Sequence, residues 1–299
     1  STNVTLAGSD VSLGKFKVTA FGESIKIETL TAGFVFTDGG VANAAATLRN
    51  GRILIGGVQY GSSATLLAAG TAFTTNYTVL PGTSVIVDVR ADVFDNDGTG
   101  VLDTSDTLLA RIITGASNAQ RLDSLGSFNA PAANVSANTL AIASAVVTLT
   151  KNGTYANQTV DLPQTNYKIG AWNLSGSSVE DVLLSTLSFD VDSVTNATFA
   201  AADVTNMYVV VKNSAGAIVA QPSPIATVVA ADNNFSISYT LTKNTNVSIE
   251  LYGALGSTVT AADSVKTDLT ITGTSLTSGN AVTATSADTD GQTIIYGAG

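Results

Sequence analysis

The stretch Val85-Ile86-Val87-Asp88-Val89-Arg90-Ala91-Asp92-Val93 decides the fold class. Its odd positions are all apolar and most of its even positions are polar, a period of two that sets one face on a core and the other in water. The same alternation runs through Phe16-Lys17-Val18-Thr19-Ala20, Ile25-Lys26-Ile27-Glu28, Phe235-Ser236-Ile237-Ser238-Tyr239-Thr240-Leu241 and Val247-Ser248-Ile249-Glu250-Leu251. Ala200 to Val204 and Ala261 to Val265 reach a single helical turn, and no segment sustains a 3.6-residue period over three turns. The class is all-β.

Working outward, the block Tyr77-Thr78-Val79-Leu80-Pro81-Gly82-Thr83-Ser84-Val85-Ile86-Val87 has a counterpart in Tyr239-Thr240-Leu241-Thr242-Lys243-Asn244-Thr245-Asn246-Val247-Ser248-Ile249. Further matches keep the same order. Gly14 to Phe21 parallels Thr165 to Trp172, which sets Phe16 against Tyr167 and Phe21 against Trp172. Phe34 and Phe36 fall opposite Phe189 and Val191, Ile53 to Ile55 opposite Tyr208 to Val210, Ile113 to Gly115 opposite Ile271 to Gly273, and Thr139 to Ile142 opposite Thr293 to Tyr296. A self-match of this kind indicates tandem duplication. The expected domains are residues 1–142, opening with a short N-terminal strand segment, and residues 143–299. Each would carry seven or eight short strands with turns such as Asn50-Gly51 and Asn152-Gly153, the pattern of a two-sheet β-sandwich.

The succession from Phe-Lys-Val-Thr-Ala (16–20) through Ile-Lys-Ile (25–27) and Pro-Gly-Thr-Ser-Val (81–85) to Thr-Leu-Leu-Ala-Arg (107–111) resembles the tandem immunoglobulin-like repeats of bacterial and archaeal cell-surface proteins. S-layer and surface-filament subunits belong to that group. The resemblance covers both halves and implies two immunoglobulin-like β-sandwiches in a cell-surface setting, without a defined activity.

Composition narrows the chemistry. With no Cys and no His among 299 residues, thiol nucleophiles, imidazole bases and Cys/His metal sites are excluded. Thirteen Lys and Arg against 23 Asp and Glu give a net charge of -10, which opposes binding to nucleic acid. No apolar run approaches the roughly 20 residues that cross a bilayer, and Ser1 does not open a signal-peptide pattern, so the chain reads as mature, soluble and without a transmembrane segment. Richness in Ser, Thr, Asn, Ala, Gly and Val favours an extracellular or cell-surface location.

The halves differ at their heads. Val146-Val147-Thr148-Leu149-Thr150 precedes the second half's aromatic block, whereas only Ser1 to Leu13 precede Phe16, which suggests an open groove or edge in the first sheet. Val4-Thr5-Leu6 has the character of Val147-Thr148-Leu149, and Thr293 to Tyr296 matches the residues that precede that strand. Tail-to-head joining of copies would thus imitate the internal junction. The candidate assembly residues are Val4, Leu6, Ile294 and Tyr296, with residues 1 to about 12 as donor strand or, as the second candidate for that role, Thr293 to Gly299, and identical subunits as partners.

Asp95, Asp97, Asp103 and Asp106 offer the oxygen ligands of a Ca²⁺ loop, with Gly98 at the turn, although no Glu closes it as in an EF-hand. Asp288-Thr289-Asp290-Gly291 repeats the element with fewer acids. No cofactor is required, and calcium is the one candidate. Nine Asn-x-Ser/Thr sites, at Asn3, Asn76, Asn134, Asn152, Asn157, Asn173, Asn196, Asn234 and Asn246, permit glycans. The four Glu residues, Glu23, Glu28, Glu180 and Glu250, sit in or beside strands where they would face water, and no catalytic residue is expected. Trp172, Tyr167, Phe16 and Phe21 are expected in the core or a domain interface. The reading that follows is a non-enzymatic subunit of an extracellular filament or surface layer. Its alternative is an adhesin or carbohydrate-binding module of a larger surface protein.

Overall fold

The computed structural model describes residues 2–42, 46–95, 102–193, 201–256, 263–284 and 291–297. Two compact units divide the chain, Ser1–Ser144 and Ala145–Gly299. Among the described residues, strands make up all the regular structure except one 3-10 turn at Ala201–Asp203.

The first unit contains β1 (Thr2–Thr5), β2 (Val11–Thr19), β3 (Ile25–Asp38), β4 (Val41–Ala42), β5 (Thr47–Ile55) and β6 (Val58–Leu67). It continues with β7 (Thr71–Val79), β8 (Ser84–Asp95), β9 (Thr107–Ile112), β10 (Ala119–Arg121), β11 (Ser127–Phe128) and β12 (Val135–Ala143). One sheet runs β1-β12-β9-β3-β10-β11, with β4 and β7 also on β3, and the other runs β2-β8-β5-β6. The alternation in Val85–Val93 is visible in β8, where Val87, Val89, Ala91 and Val93 are buried while Ile86 is exposed.

The second unit contains β13 (Thr148–Lys151), β14 (Gln158–Val160), β15 (Gln164–Ser175), β16 (Val182–Ser193), β17 (Val204–Asn213) and β18 (Ile218–Ala220). After these come β19 (Ile225–Thr227), β20 (Asn233–Leu241), β21 (Asn246–Leu255), β22 (Ser264–Ser275), β23 (Ala281–Thr283) and β24 (Ile294–Tyr296). Its sheets are β13-β15-β21-β17-β18, with β19 on β17, and β14-β24-β22-β16-β20, with β23 on β22. At the centre of its core, Trp172 is fully buried beside Phe189, ring centroids 5.5 Å apart, and Phe189 meets Phe235 edge-on at 5.7 Å. The indole needs glycine around it. A Cβ on Gly170 would stand 2.3 Å from its Cη2, and one on Gly291 2.8 Å from its Cζ2.

Several local arrangements occur in both units. The Thr83 hydroxyl donates to the Leu80 carbonyl at 2.7 Å, and Thr245 donates to Thr242 at 2.6 Å. Glu23 accepts from the amides of Asp123 and Ser124 and the Ser124 hydroxyl. Glu180 accepts in the same way from the amides of Thr277 and Ser278 and the Ser278 hydroxyl. The ladder register shifts between Ser12 and Gly14 and again between Lys168 and Gly170. Phe16 then faces Val87 and Trp172 faces Ile249. Phe16 therefore corresponds to Trp172 and not to Tyr167, five residues away from the sequence match. Phe21, expected in the core or a domain interface, is 80% exposed.

The chain ends also need correction. β1 lies parallel to β12, with Val4 beside Ile142, and β14 lies parallel to β24, with Val160 beside Tyr296. The structural counterpart of Val4 is thus Val160, and the first strand is present. Val4, Ile294 and Tyr296 are buried in their own units, and Leu6 packs half-buried against the first core. The backbones of Val4, Ile294 and Tyr296 are paired inside their own units.

Replacing the side chain at the heart of the second core tests this packing. Trp172→Ala should lower unfolding stability by about 3 to 5 kcal/mol, read from denaturant melts, while a loss under 1 kcal/mol would contradict the packing described.

Candidate functional site

The units differ most at one sheet edge. In the second unit β15 is flanked by β21 and by β13, with Leu149 opposite Leu174 and Thr148 opposite Ser175. Leu149 and the preceding Val147 are buried there, at 0% and 1% exposure. In the first unit, among the described residues, β2 is paired with β8 alone. Where β13 would lie, the surface holds an apolar trough.

Its cavity of about 260 Å³ is lined by Phe16 and Val18 of β2, Ile27 and Leu30 of β3, Val87 of β8, and Ala130, Pro131 and Val135 on the far wall. A second cavity of about 190 Å³ continues from it past Ala20, Val79 and Phe128. Where the trough begins, β2 touches β12 closely enough that a Cβ on Gly14 would stand 2.5 Å from that of Ala137. The far wall is held by Asn118, which donates to the carbonyls of Thr29 and Ala130 at 2.7 Å and accepts from the Ala130 amide at 2.8 Å. Nothing in the sequence marked Asn118. It lies in the small and polar stretch Thr114 to Arg121, which carries no motif. Lys15 and Lys17 stand exposed along the same edge, and neither takes part in an ion pair among the described residues.

The carboxylates sit elsewhere. Asp106 is buried, and its two oxygens accept from the amides of Asp103, at 2.7 Å, and Gly39, at 3.3 Å. Asp103 is exposed, Asp95 ends β8, and Asp97, Asp288 and Asp290 lie outside the described residues. Among the described residues no cluster of three acidic groups is arranged for a metal. Asp106 is matched in the second unit by the fully buried Asp263, whose carbonyl accepts from Tyr296 as that of Asp106 accepts from Ile142.

Three of the four Glu residues also depart from the solvent-facing expectation, because backbone or side-chain donors surround them. Glu23 and Glu180 brace loops as described, and Glu180 is buried. Glu250 accepts from Lys168 at 2.6 Å, from Lys212, and from the Tyr252 hydroxyl at 2.9 Å. The Tyr252 ring lies flat against Tyr208, centroids 5.0 Å apart. Burial pushes the Glu250 carboxyl up, but these three hydrogen bonds outweigh it and hold its pKa at about 2. It stays ionised at neutral pH and has no proton to donate there. Glu28 alone is exposed, 3.6 Å from Lys26. Of the glycan acceptors, Asn3, Asn76, Asn134, Asn157, Asn173, Asn234 and Asn246 are exposed, Asn152 is half-buried, and Asn196 lies outside the described residues.

No family profile matches the chain, and no curated protein matches it. Among solved structures, it is similar to CfaE, the adhesive subunit of CFA/I fimbria of enterotoxigenic Escherichia coli, at 12% identity over 99% of this chain and 86% of that one, with a TM-score of 0.27. The CupB6 tip adhesin of Pseudomonas aeruginosa matches at 10% identity over 96% and 93%, TM-score 0.23. The serine-rich repeat protein Srr2 of Streptococcus agalactiae matches at 11% over 93% and 83%, TM-score 0.21. Scores of this size do not establish a common fold.

The Glu250 cluster sets an acid dependence. Because its pKa lies below the ordinary 4.5 of a glutamate, the ionised form favours the folded state. That contribution is full above about pH 4.5 and is lost as pH falls through about 2. Glu250→Gln should therefore melt below the unsubstituted protein at pH 7, with the gap closing between pH 4.5 and 2; a gap independent of pH would refute the assignment.

Proposed function

We propose that the chain is a structural subunit of an extracellular filament or surface layer, built from two duplicated immunoglobulin-like β-sandwich units and joined head to tail with identical subunits by strand exchange. One observation carries this reading: among the described residues, the first unit has an unpaired strand edge and an apolar trough at the position where the second unit has β13. An uncovered edge beside a dry groove is a template for an incoming strand, since the backbone supplies hydrogen bonds and alternate side chains fill the groove. The correspondence of Phe16 with Trp172 and of Glu23 with Glu180 supports duplication, and with it a subunit whose halves can accept equivalent strands.

The work assigned to the chain is mechanical and needs no catalytic residue. Its alternative, an adhesin or carbohydrate-binding module, would leave the trough to a ligand and the protein as a monomer. Calcium is an accessory in this reading. With Asp106 committed to amides, Asp95, Asp97 and Asp103 are the oxygen donors left to a Ca²⁺ ion, together with backbone carbonyls of the loop.

Two measurements test these statements. Electron microscopy and light scattering of the purified protein should find ordered filaments or sheets that grow with concentration, whereas monodisperse particles at every concentration would favour the adhesin. Ca²⁺ should raise the melting temperature by a few degrees and chelator should lower it, because a ligand that binds only the folded state shifts unfolding by mass action. Identical melts with and without Ca²⁺ would remove the ion from the account.

A further inference from the structure

The trough calls for a strand of defined character. The second unit displays that character, since Val147 and Leu149, two residues apart, bury side by side while Thr148 between them faces out. The tripeptide Val147-Thr148-Leu149 occurs once more in the chain, as Val4-Thr5-Leu6. We infer that the segment Thr2–Leu6 of a second copy fills the trough of the first unit, with Leu6 and Val4 taking the places that Leu149 and Val147 hold in the second. This rests on the reading above that copies join end to end, and it names both the acceptor and the donor of that joint.

The register follows from the second unit. Leu149 faces Leu174, and Leu174 and Val18 face the matching residues Val247 and Val85. Leu6 of the incoming copy therefore lies opposite Val18, Thr5 opposite Thr19 and Val4 beside Ala20. Val18 and Thr19 line both cavities, and Ala20 lines the second.

The resting position of the donor makes the exchange inexpensive. Among the described residues β1 is paired with β12 alone, in a four-residue parallel ladder. On β2 it would form an antiparallel ladder of similar length, the more stable arrangement per residue. Leu6, half-buried at rest, would gain a closed apolar site. Beyond Leu6 the chain is fastened to β8, because Ala7 donates to the Val93 carbonyl at 2.9 Å and Val93 donates to that of Gly8 at 2.8 Å. Ala7 and Asp10 have φ of 61° and 52°, so the turn sits beside a fixed point. Thr2 to Leu6 thus forms an arm with a reach of roughly 17 Å when extended.

The absence of native cysteine makes disulfide trapping unambiguous. In the resting chain Thr5 pairs with Ala143, so the double variant Thr5→Cys with Ala143→Cys should lock the arm at home when oxidised. The locked protein should melt cooperatively yet not assemble, and reductant should restore assembly. In a mixture of a size-tagged Thr5→Cys protein with a Thr19→Cys protein, oxidation should give a heterodimer. Assembly by the locked protein equal to that of the reduced one would overturn the donor assignment and leave end-to-end joining intact. So would cross-linking of Thr19→Cys to Thr148→Cys in place of Thr5→Cys. If the unsubstituted protein does not assemble at all, the end-to-end reading itself fails, and the arm's role falls with it.

Discussion

A strand inside a sandwich has two edges and one apolar face, and all three must be covered. Backbone N–H and C=O groups beside a dry surface are costly when left without partners. In the second unit that constraint is met on both sides of β15, by β21 and β13. In the first, among the described residues, it is met on one side of β2. The trough is apolar because it is the uncovered part of a core. Its far wall is fixed because Asn118 ties Ala130 to Thr29.

Much of the strand content was legible because period-two alternation is a local signal. Val87, Val89, Ala91 and Val93 are buried as the alternation requires, with Asp88 buried among them on hydrogen bonds from Ser12 and Arg90, and the turn block transfers between units hydrogen bond for hydrogen bond at Thr83 and Thr245. Register was less legible. Matching aromatic, basic and small residues aligned Phe16 with Tyr167, while the bulges at Gly14 and Gly170 set the true correspondence with Trp172. A glycine announces freedom and does not say how the ladder will use it. Counting along β3 and β16 from Ile25 and Val182, which face Val79 and Leu241, brings Ala32 and not Phe34 opposite Phe189. That slip of two leaves every side chain on its own face, so Phe34, Phe36, Phe189 and Val191 are all buried despite it.

Polar burial was the least legible part. Glu180, Asp106 and Asp263 are acids in a sequence poor in charge; the pattern pointed Glu180 to water and Asp106 to calcium, and nothing in it singled out Asp263. In the fold Glu180 and Asp106 accept backbone amides from loops far along the chain, Thr277 and Ser278 in one case and Gly39 in the other. An amide donor has no residue identity, so no motif foretells it. The same holds for β1, whose partner β12 lies at the other end of its unit and whose parallel pairing has no local signature.

The aromatic pair Phe16 and Trp172 has an optical consequence. The chain has one tryptophan, and it sits in the second unit against Phe189, while the matching position in the first unit is a phenylalanine. Intrinsic fluorescence excited at the indole band therefore reports on the second unit. Far-ultraviolet dichroism sees strands in both. A lag between the two signals during unfolding would register the first unit opening by itself, with no label added to the protein.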